Sequence, residues 1–299
     1  MFLQIDHTTL YRYGAPVGFT PHFLRFLPRT TPGLHLLKSS LTITPTASVK
    51  WNFDLLGNIV GKATFPDTAT ELLITSSLLM EQYVTNPFDF LLEDRALQLP
   101  LTYTDREQSL LAPFLQSLDK TASPLLGTWL QPFLDQNGGA SSRPSTLGTL
   151  IAMNSAISTL FRYASRHSEG IWSVEEVLHR KEGTCRDFAH LMIEAARFLG
   201  IAARYVSGYL CSSPGGREGE SYTHGWCELY LPGAGWRAFD PTNGILADAH
   251  HIAVATSVAA GEIPPVEGSY CGAPDLVIAH EVTISARELL PGEELLLHP

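Results

Sequence analysis

The stretch between Thr184 and Gly200 constrains the fold most, because it carries both end signals of a single helix. Thr184 is a favourable N-cap, and Asp187 three residues later completes a capping-box pattern. The apolar side chains between the two ends recur at three- and four-residue spacing, which is typical of a helix with one face in a core. Gly200 is a typical C′ residue. The pattern predicts a helix that begins at Cys185 and ends at Gly200.

A cysteine at the first position of a helix is well placed for nucleophilic chemistry. The thiolate is the nucleophilic form of the side chain. Unpaired N–H groups and the positive end of the helix dipole stabilise a negative charge there. The N–H of Cys185 would also form half of an oxyanion hole. A lone cysteine is otherwise a small buried hydrophobic residue, and we apply that interpretation to the other three, Cys211, Cys227 and Cys271.

A thiol nucleophile needs a base, usually a histidine, whose second nitrogen is held by a third group. His224 lies in a run typical of a β-strand, on the same face as Trp226. Asp240 closes the next predicted strand, where Pro241 ends it. A histidine on a strand is more often structural, and an aspartate before a proline often only terminates a strand. The three residues are therefore candidates because of their order and contexts taken together.

The predicted hairpin between these two strands leaves a gap. Pairing Leu231 with Trp236 places Asp240 opposite Cys227, three residues along the strand from His224. At the usual rise this separation is about 10 Å. A bulge, an asymmetric loop or a strong twist would have to close it.

The remaining histidines and charged residues near these motifs have ordinary interpretations. Asp187 is expected to act as a cap, and Arg186 to lie at the surface or in an ion pair. His190 is expected to point away from Cys185 on the helix. His250 and His251 form a pair without metal-ligand company, and no C-x-x-C spacing supports a structural zinc site.

The rest of the chain divides by pattern. Residues 1–85 contain short β-branched and aromatic runs between proline and glycine turns, as in antiparallel strands. Residues 86–165 carry apolar residues at helical spacing. Ser173 and Glu176 form a second capping-box pattern. Strands are predicted at 203–210, 222–231 and 236–239, and another near the C-terminus.

Composition excludes several classes of protein. With 44% hydrophobic and 17% charged residues, the chain has the composition of a folded protein with a large core. The net charge is −10 and no cluster of Lys and Arg is present, which argues against nucleic-acid binding. No apolar stretch reaches the roughly 18–20 residues of a membrane span. The start of the chain lacks the pattern of a secretory signal. We therefore predict a cytoplasmic protein without a membrane partner.

Together these motifs resemble the transglutaminase-like superfamily, in its bacterial cysteine-protease-like branch. The core resemblance includes GTCRDFAHL around the cysteine and HGW around the histidine. The first 85 residues resemble the N-terminal region of the same branch. The matching segments are 22–29, 54–58, 183–191, 199–209, 224–226 and 235–244.

The resemblance implies an α+β fold. An N-terminal antiparallel β domain would occupy residues 1–85. A papain-like core at 86–285, with a helical insert at 86–165, would pack the cysteine helix on an antiparallel sheet that carries the histidine and the aspartate. Residues 286–299 would form a C-terminal tail.

The resemblance also implies roles for three residues. Cys185 would be the nucleophile, His224 the general base and acid, and Asp240 the group that orients the imidazole. A peptide or protein substrate would form a thioester at Cys185 from a peptide or glutamine-type amide, and hydrolysis is the leading hypothesis. Acyl transfer to an amine and a non-catalytic binding or scaffold module are the alternatives. No metal or organic cofactor is required, a zinc site using Cys185, His190 or His224 fails on ligand spacing, and the oligomeric state is left open.

Two departures from the family pattern stand out. Gly225 replaces the usual alanine of His-Ala-Trp, which should leave the base in place. Residues 256–259 replace the usual Gly-Arg-Asp-Tyr, so no substrate-binding residues are transferred from that segment. For Trp226 and Tyr209 two positions are open, lining of the cleft and packing in the core, and packing in the core is the one we expect.

Overall fold

Alternating apolar and polar residues build a long first strand, in which Leu3, Ile5 and His7 are buried and the residues between them are not. In the computed structural model this strand lies in the middle of an antiparallel sheet, with one long neighbour on each side. The structure describes residues 1–83, 86–119, 123–135, 143–166, 170–213, 223–273 and 276–294. The strands of this sheet are β1 (Phe2–Phe19), β3 (Leu34–Thr44), β6 (Ala69–Gln82), β15 (Tyr270–Cys271) and β16 (Val277–Glu288).

A second, smaller antiparallel sheet completes the N-terminal region, in the order β14-β2-β5-β4. Its strands are β2 (His22–Leu24), β4 (Ser48–Phe53), β5 (Ile59–Thr64) and β14 (Val266–Glu267). The predicted β structure of residues 1–85 is thus confirmed for the described part of that segment.

The third sheet carries the two strands on which the candidate base and its partner were predicted. It is antiparallel, in the order β12-β11-β10-β9-β13. Its strands are β9 (Ala203–Leu210), β10 (Thr223–Leu231), β11 (Gly235–Asp240), β12 (Ile245–Leu246) and β13 (His251–Ser257). The three predicted strands are confirmed, except that the predicted start at Tyr222 lies outside the described residues.

Helices cover one side of this third sheet. The helix that begins at Cys185 packs on β10 and β9 through an almost fully buried face. The helices are α1 (Asp105–Leu115), α2 (Ser123–Asp135), α3 (Thr146–Leu160), α4 (Val174–Arg180) and α5 (Cys185–Phe198), with a 3-10 turn at Asp94–Ala96. Two short strands, β7 (Arg162–Tyr163) and β8 (Glu182–Gly183), pair in parallel just before α5. The α+β class with a cysteine helix on an antiparallel sheet is therefore confirmed.

The C-terminal strand returns to the N-terminal sheet. β16 pairs with β1 along almost its whole length, from Leu3 opposite Glu288 to Tyr13 opposite Val277. It therefore crosses the predicted boundary between a core ending at 285 and a tail beginning at 286. The division into domains stays a prediction.

The N-terminal region is attached to the third sheet through a buried asparagine. Asn58 is fully buried, and its side chain donates to the carbonyl of Thr256 and accepts from the N–H of Thr256, both at 2.8 Å. Arg29 donates to the Asn58 side chain and, at 3.1 Å, to the Thr256 hydroxyl. Asp54 in turn accepts from the Asn58 amide. The segment at 256–259 that departs from the family pattern thus begins with a docking site for residues 54–58.

Among the described residues, no helix has the length and apolar character that crossing a membrane would require.

Candidate active site

The start of α5 places Cys185 at the first helical position, as predicted. Thr184 is the N-cap, and its hydroxyl accepts from the N–H of Asp187. The Asp187 carboxylate accepts from the N–H and the hydroxyl of Thr184, both at 2.8 Å. This capping box uses the N–H of Asp187 and leaves those of Cys185 and Arg186 outside it. The Cys185 side chain is only partly buried.

The capping carboxylate is also tied to the chain before the helix. Asp187 is fully buried, at 0% exposure. Its second oxygen accepts from the N–H of Trp172 at 2.7 Å and from the guanidinium of Arg166 at 3.1 Å. The cap predicted from the sequence therefore also fixes the position of α5 against the segment that precedes it.

The hairpin of β10 and β11 differs from the predicted register by one residue. Leu231 pairs with Gly235, and Cys227 pairs with Phe239. The prediction that Leu231 pairs with Trp236 was wrong, because the N–H of Ala234 closes a turn on Leu231 and Gly235, at φ 75°, already belongs to the second strand. Only a glycine adopts that backbone conformation without strain.

The corrected register brings the two candidate residues together. Extended by one residue, it places Asp240 opposite Trp226, on the face of the sheet that also carries His224. Nε2 of His224 lies 2.8 Å from Oδ2 of Asp240. The 10 Å gap expected from the sequence is therefore absent, and the described pairing of these two strands contains no bulge.

Asp240 is held by five donors and has 0% exposure. Its Oδ2 accepts from His224, from Nε2 of His251 at 3.0 Å and from the side-chain amide of Asn243 at 2.6 Å. Its Oδ1 accepts from the N–H groups of Thr242 and Asn243. Burial alone would raise the pKa of this carboxyl, but the hydrogen bonds from His224 and His251 outweigh it and hold the pKa well below its usual range.

His224 lies between this carboxylate and the cysteine. Besides its bond to Asp240, the imidazole is close enough to the Cys185 side chain for the two groups to interact. Burial opposes the charged imidazolium, but the interactions with Asp240 and Cys185 outweigh it and raise the pKa of His224 to about 10. The ring also stacks on Trp226, with centroids 5.9 Å apart.

His251 is a part of the site that the sequence did not predict. His250 and His251 were expected to form a pair without metal-ligand company, and each of them has carboxylate partners in the structure. Nδ1 of His251 lies 3.0 Å from a carboxylate oxygen of Asp248, and Nε2 bonds Asp240. Burial opposes protonation of His251, but these two carboxylates outweigh it and raise its pKa. No local motif indicates the contact, because it depends on how β13 is placed relative to β11.

One group of potential metal ligands occurs among the described residues. The donor atoms of His224, Asp240 and His251 lie within 4.8 Å of one another. Ligands of a tetrahedral zinc ion are about 3.3 Å apart, as follows from bonds of about 2.0 Å. Both imidazole nitrogens are closer than that to the same oxygen, at 2.8 and 3.0 Å, which are hydrogen-bond lengths. The Asn243 amide donates to this oxygen too. The residues therefore form a hydrogen-bonded cluster, and a metal-free site stays a prediction.

Comparison with known proteins agrees with this architecture. The family model of the transglutaminase-like superfamily core matches residues 139–241, and that of the bacterial transglutaminase-like N-terminal region matches residues 3–81. This chain belongs to the transglutaminase-like superfamily. The segment matched by the core model contains Cys185, His224 and Asp240, and the segment matched by the N-terminal model contains the Asp54–Asn58 turn.

Relatives extend over different shares of this transglutaminase-like chain. An uncharacterised protein of Mycobacterium leprae is 27% identical over 287 residues, covering 94% of this chain and 98% of its own. An uncharacterised protein of Mycobacterium tuberculosis is 38% identical over 122 residues, covering 38% of this chain and 39% of its own. A solved structure from Cytophaga hutchinsonii, described as a “putative cysteine protease”, has a TM-score of 0.68 at 18% identity and covers 97% of this chain and 92% of its own. It shares the fold.

Gly225 of the transglutaminase-like core is close to a buried tyrosine. A Cβ added at this position would lie 2.3 Å from the hydroxyl oxygen of Tyr205 and about 3 Å from its ring. Tyr205 is fully buried on β9 and close enough to Cys185 and Asp187 for their charges to raise its pKa further, after burial. The hydroxyl therefore fills the space that the usual alanine would need.

The other predicted residues lie away from the thiol. His190 is buried and pairs with Asp119 at 3.5 Å, so it points away from Cys185 as expected. Cys211 and Cys227 are buried as predicted, whereas Cys271 is exposed and that prediction was wrong. It lies on the short outer strand β15, which covers only two residues of β1. Trp226 and Tyr209 pack in the core.

A cavity of about 490 Å³ is lined by residues of the N-terminal region and residues of the third sheet. Arg29, Trp226, Glu228, Trp236 and His251 are among its lining residues. Cys185 and His224 do not line it. The cavity therefore reaches the candidate site from the side of His251 and not from the side of the thiol.

Proposed function

We propose that this chain is a cysteine-nucleophile enzyme that hydrolyses peptide or glutamine-type amide bonds through a thioester. The observation that carries the proposal is the position of His224, which bonds the fully buried Asp240 at 2.8 Å and interacts with the Cys185 side chain. A nucleophile, a base and an orienting carboxylate in this order are the groups that thiol-based acyl transfer requires.

The proposed reaction has two balanced halves. The Cys185 thiolate attacks the amide carbonyl carbon, and the C–N bond breaks as the His224 imidazolium gives its proton to the leaving amine. The product of this half is a thioester. A water molecule then attacks the thioester carbon, His224 takes its proton, and the C–S bond breaks to release a carboxylic acid. Asp240 keeps the imidazole oriented through its 2.8 Å bond in both halves.

The helix start supplies stabilisation for the negative oxygen that forms in both halves. The capping box occupies the N–H of Asp187 and leaves those of Cys185 and Arg186 available. We propose the N–H of Cys185 as one donor of the oxyanion hole, where the α5 dipole adds to its effect.

We keep a cytoplasmic location as part of the proposal. All four cysteines are free, including the exposed Cys271. Unpaired thiols are typical of proteins in reducing compartments.

Selective alkylation of Cys185 tests the proposal without knowledge of the substrate. Iodoacetamide labelling at about neutral pH, followed by peptide mapping, should show Cys185 reacting at least about tenfold faster than the exposed thiol of Cys271. Cys271 is a control within the same molecule, because it is exposed and lies on β15, outside the candidate site. In His224→Ala the Cys185 rate should fall to that of Cys271, while the Cys271 rate stays unchanged. A Cys185 rate no higher than that of Cys271 in the wild type would contradict the proposal.

A substrate assay then separates hydrolysis from acyl transfer. Glutamine-containing peptides incubated with and without a primary amine should yield the free acid in both cases. Formation of the amine conjugate as the main product would favour the transglutaminase alternative. Reactive Cys185 without any acyl-enzyme from such peptides would favour the binding-module alternative.

A further inference from the structure

Two imidazoles share one carboxylate oxygen in the candidate site. Nε2 of His224 and Nε2 of His251 lie 2.8 and 3.0 Å from Oδ2 of Asp240. The His251 side chain is only 2% exposed and Asp240 is not exposed at all. The proposed mechanism uses His224 and Asp240 and assigns nothing to His251.

We infer that His251 is a positioning residue, which fixes the carboxylate of Asp240 in the place from which it orients His224. The inference rests on the proposed function, because it assigns His251 to the same site. His251 touches neither the thiol nor the place of a substrate carbonyl, and it acts through Asp240.

The topology makes this contact a long-range one. β11, which ends at Asp240, and β13, which begins at His251, are separated in the sheet by β10 and β9. Three strand spacings in a flat sheet would be about 14 Å. The bond between the two side chains therefore reaches across the two intervening strands, and it ties the end of β11 to the edge strand β13.

A second carboxylate holds His251 itself. Nδ1 of His251 lies within hydrogen-bond distance of both the carboxylate, at 3.0 Å, and the N–H, at 3.1 Å, of Asp248. The edge of its ring packs on Trp226, at 5.4 Å between centroids and 81° between planes. With Nδ1 and the ring both held, only Nε2 remains to donate, and it is directed at Asp240. The ring is therefore itself fixed before it fixes Asp240.

Removal of His251 would take one of five donors from Asp240, so the carboxylate would be held less firmly in the place from which it bonds His224. The four other donors would remain, but Asn243 and Thr242 follow Asp240 directly in the chain and would move with the strand end. His251 is the donor that comes from a distant strand of the sheet, the edge strand β13. Its loss should therefore reduce the reactivity of Cys185 without unfolding the protein.

The test is the rate of Cys185 alkylation in three variants. His251→Ala should slow the reaction at Cys185 by about tenfold or more, the effect of one hydrogen bond to a charged group. His251→Gln carries its amide nitrogen near the position of Nε2, and it should restore most of the rate. His280→Ala is the control, because His280 is exposed and stacks on Tyr11 of the N-terminal sheet, and it should leave the rate unchanged.

Added imidazole provides a readout that a purely structural role would not move. His251 lines the cavity, so truncation to alanine opens a hole that free imidazole can reach. Imidazole should raise the Cys185 rate of His251→Ala and leave that of the wild type unchanged. Cys211 and Cys227 are buried and become alkylated only when the protein opens, so their protection reports that the variants are folded.

Three outcomes would overturn the inference. One is a wild-type rate at Cys185 in His251→Ala, and another is a reduced rate that neither imidazole nor His251→Gln restores. The third is a stoichiometric divalent metal in the purified wild type that is lost in His251→Ala, because the imidazoles would then be metal ligands. A wild-type Cys185 no faster than Cys271 would instead overturn the proposed function, and the inference with it.

Discussion

Two fully buried aspartates anchor the two halves of the candidate site, and they do so with different partners. Asp187 holds the helix half, where it accepts from Thr184, Trp172 and Arg166. Asp240 holds the sheet half, where two of its donors are imidazoles. None of the partners of Asp187 changes charge near neutral pH, whereas both histidines bound to Asp240 can. Equal burial thus produces a structural anchor in one place and an element of proton chemistry in the other.

Removal of the sheet anchor should have the largest effect. Asp240→Ala leaves the donors of His224, His251 and Asn243 buried without an acceptor, and breaks a buried charge cluster. We expect the free energy of unfolding to fall by about 3–5 kcal/mol. Urea denaturation followed by circular dichroism measures it. Asp240→Asn is the control that keeps the shape and should lose less stability. A loss below about 1 kcal/mol for Asp240→Ala would show that the cluster is not coupled to folding.

Removal of the helix anchor should have the next largest effect. Asp187→Ala removes the carboxylate half of the capping box of α5 and the acceptor for Trp172 and Arg166, so we expect a loss of about 2–3 kcal/mol. The Cys185 alkylation rate should fall as well, because the helix start is no longer fixed.

The exposed capping box of α4 gives a matched control for that variant. Glu176 accepts from the N–H and the hydroxyl of Ser173, in the same pattern but at the surface. Glu176→Ala should therefore lose only about 0.5–1 kcal/mol, with no change at Cys185. Equal losses of stability in Asp187→Ala and Glu176→Ala would show that burial does not increase the contribution of a capping box.

The sequence predicts features whose causes are local. The capping boxes at Thr184 and Ser173 were predicted correctly because the two residues of each box lie within four consecutive positions. The strands that carry His224 and Asp240 were found because alternation and a turn mark them. The hairpin register was missed by one residue, because the positive φ of Gly235 decides where the second strand begins, and the residue type alone does not report that angle.

Long-range features were not predictable in the same way. His251 reaches Asp240 because of where β13 lies relative to β11, and no spacing in the sequence records that placement. The role of Asn58 as a docking side chain for Thr256 likewise depends on two segments 198 residues apart. The return of β16 to β1 has the same origin, because an alternating strand does not specify which sheet it joins.

The two anchors should also differ in their response to pH. The pKa of His224 is about 10 in the folded chain against an ordinary value of 6.5, so its contribution to stability is fully present below about pH 6.5 and is lost as the pH rises through about 10. The excess stability of the wild type over His224→Gln should thus shrink by roughly 2 kcal/mol or more between about pH 6 and about pH 10. Urea denaturation at both pH values measures it.

The same pair of measurements on Asp187→Ala sharpens the contrast. Its partners are a backbone N–H, the hydroxyl and N–H of Thr184, and an arginine, none of which titrates between about pH 6 and about pH 10. The difference between wild type and Asp187→Ala should therefore stay constant over this range. A difference that shrinks as much as that of His224→Gln would remove the distinction between the two anchors.

Tyr205 lies between the two halves, and Gly225 tests how tightly they fit around it. In Gly225→Ala the new methyl group would lie 2.3 Å from the Tyr205 hydroxyl oxygen, so the tyrosine ring must shift. We expect a loss of about 1–2 kcal/mol in the free energy of unfolding, as for an overpacked core. Because the hydroxyl is the nearest atom, the double variant with Tyr205→Phe should regain much of it, and a double-mutant cycle measures the coupling. Additive effects of the two substitutions would show that the site accepts alanine without moving Tyr205, and that the two halves are packed independently.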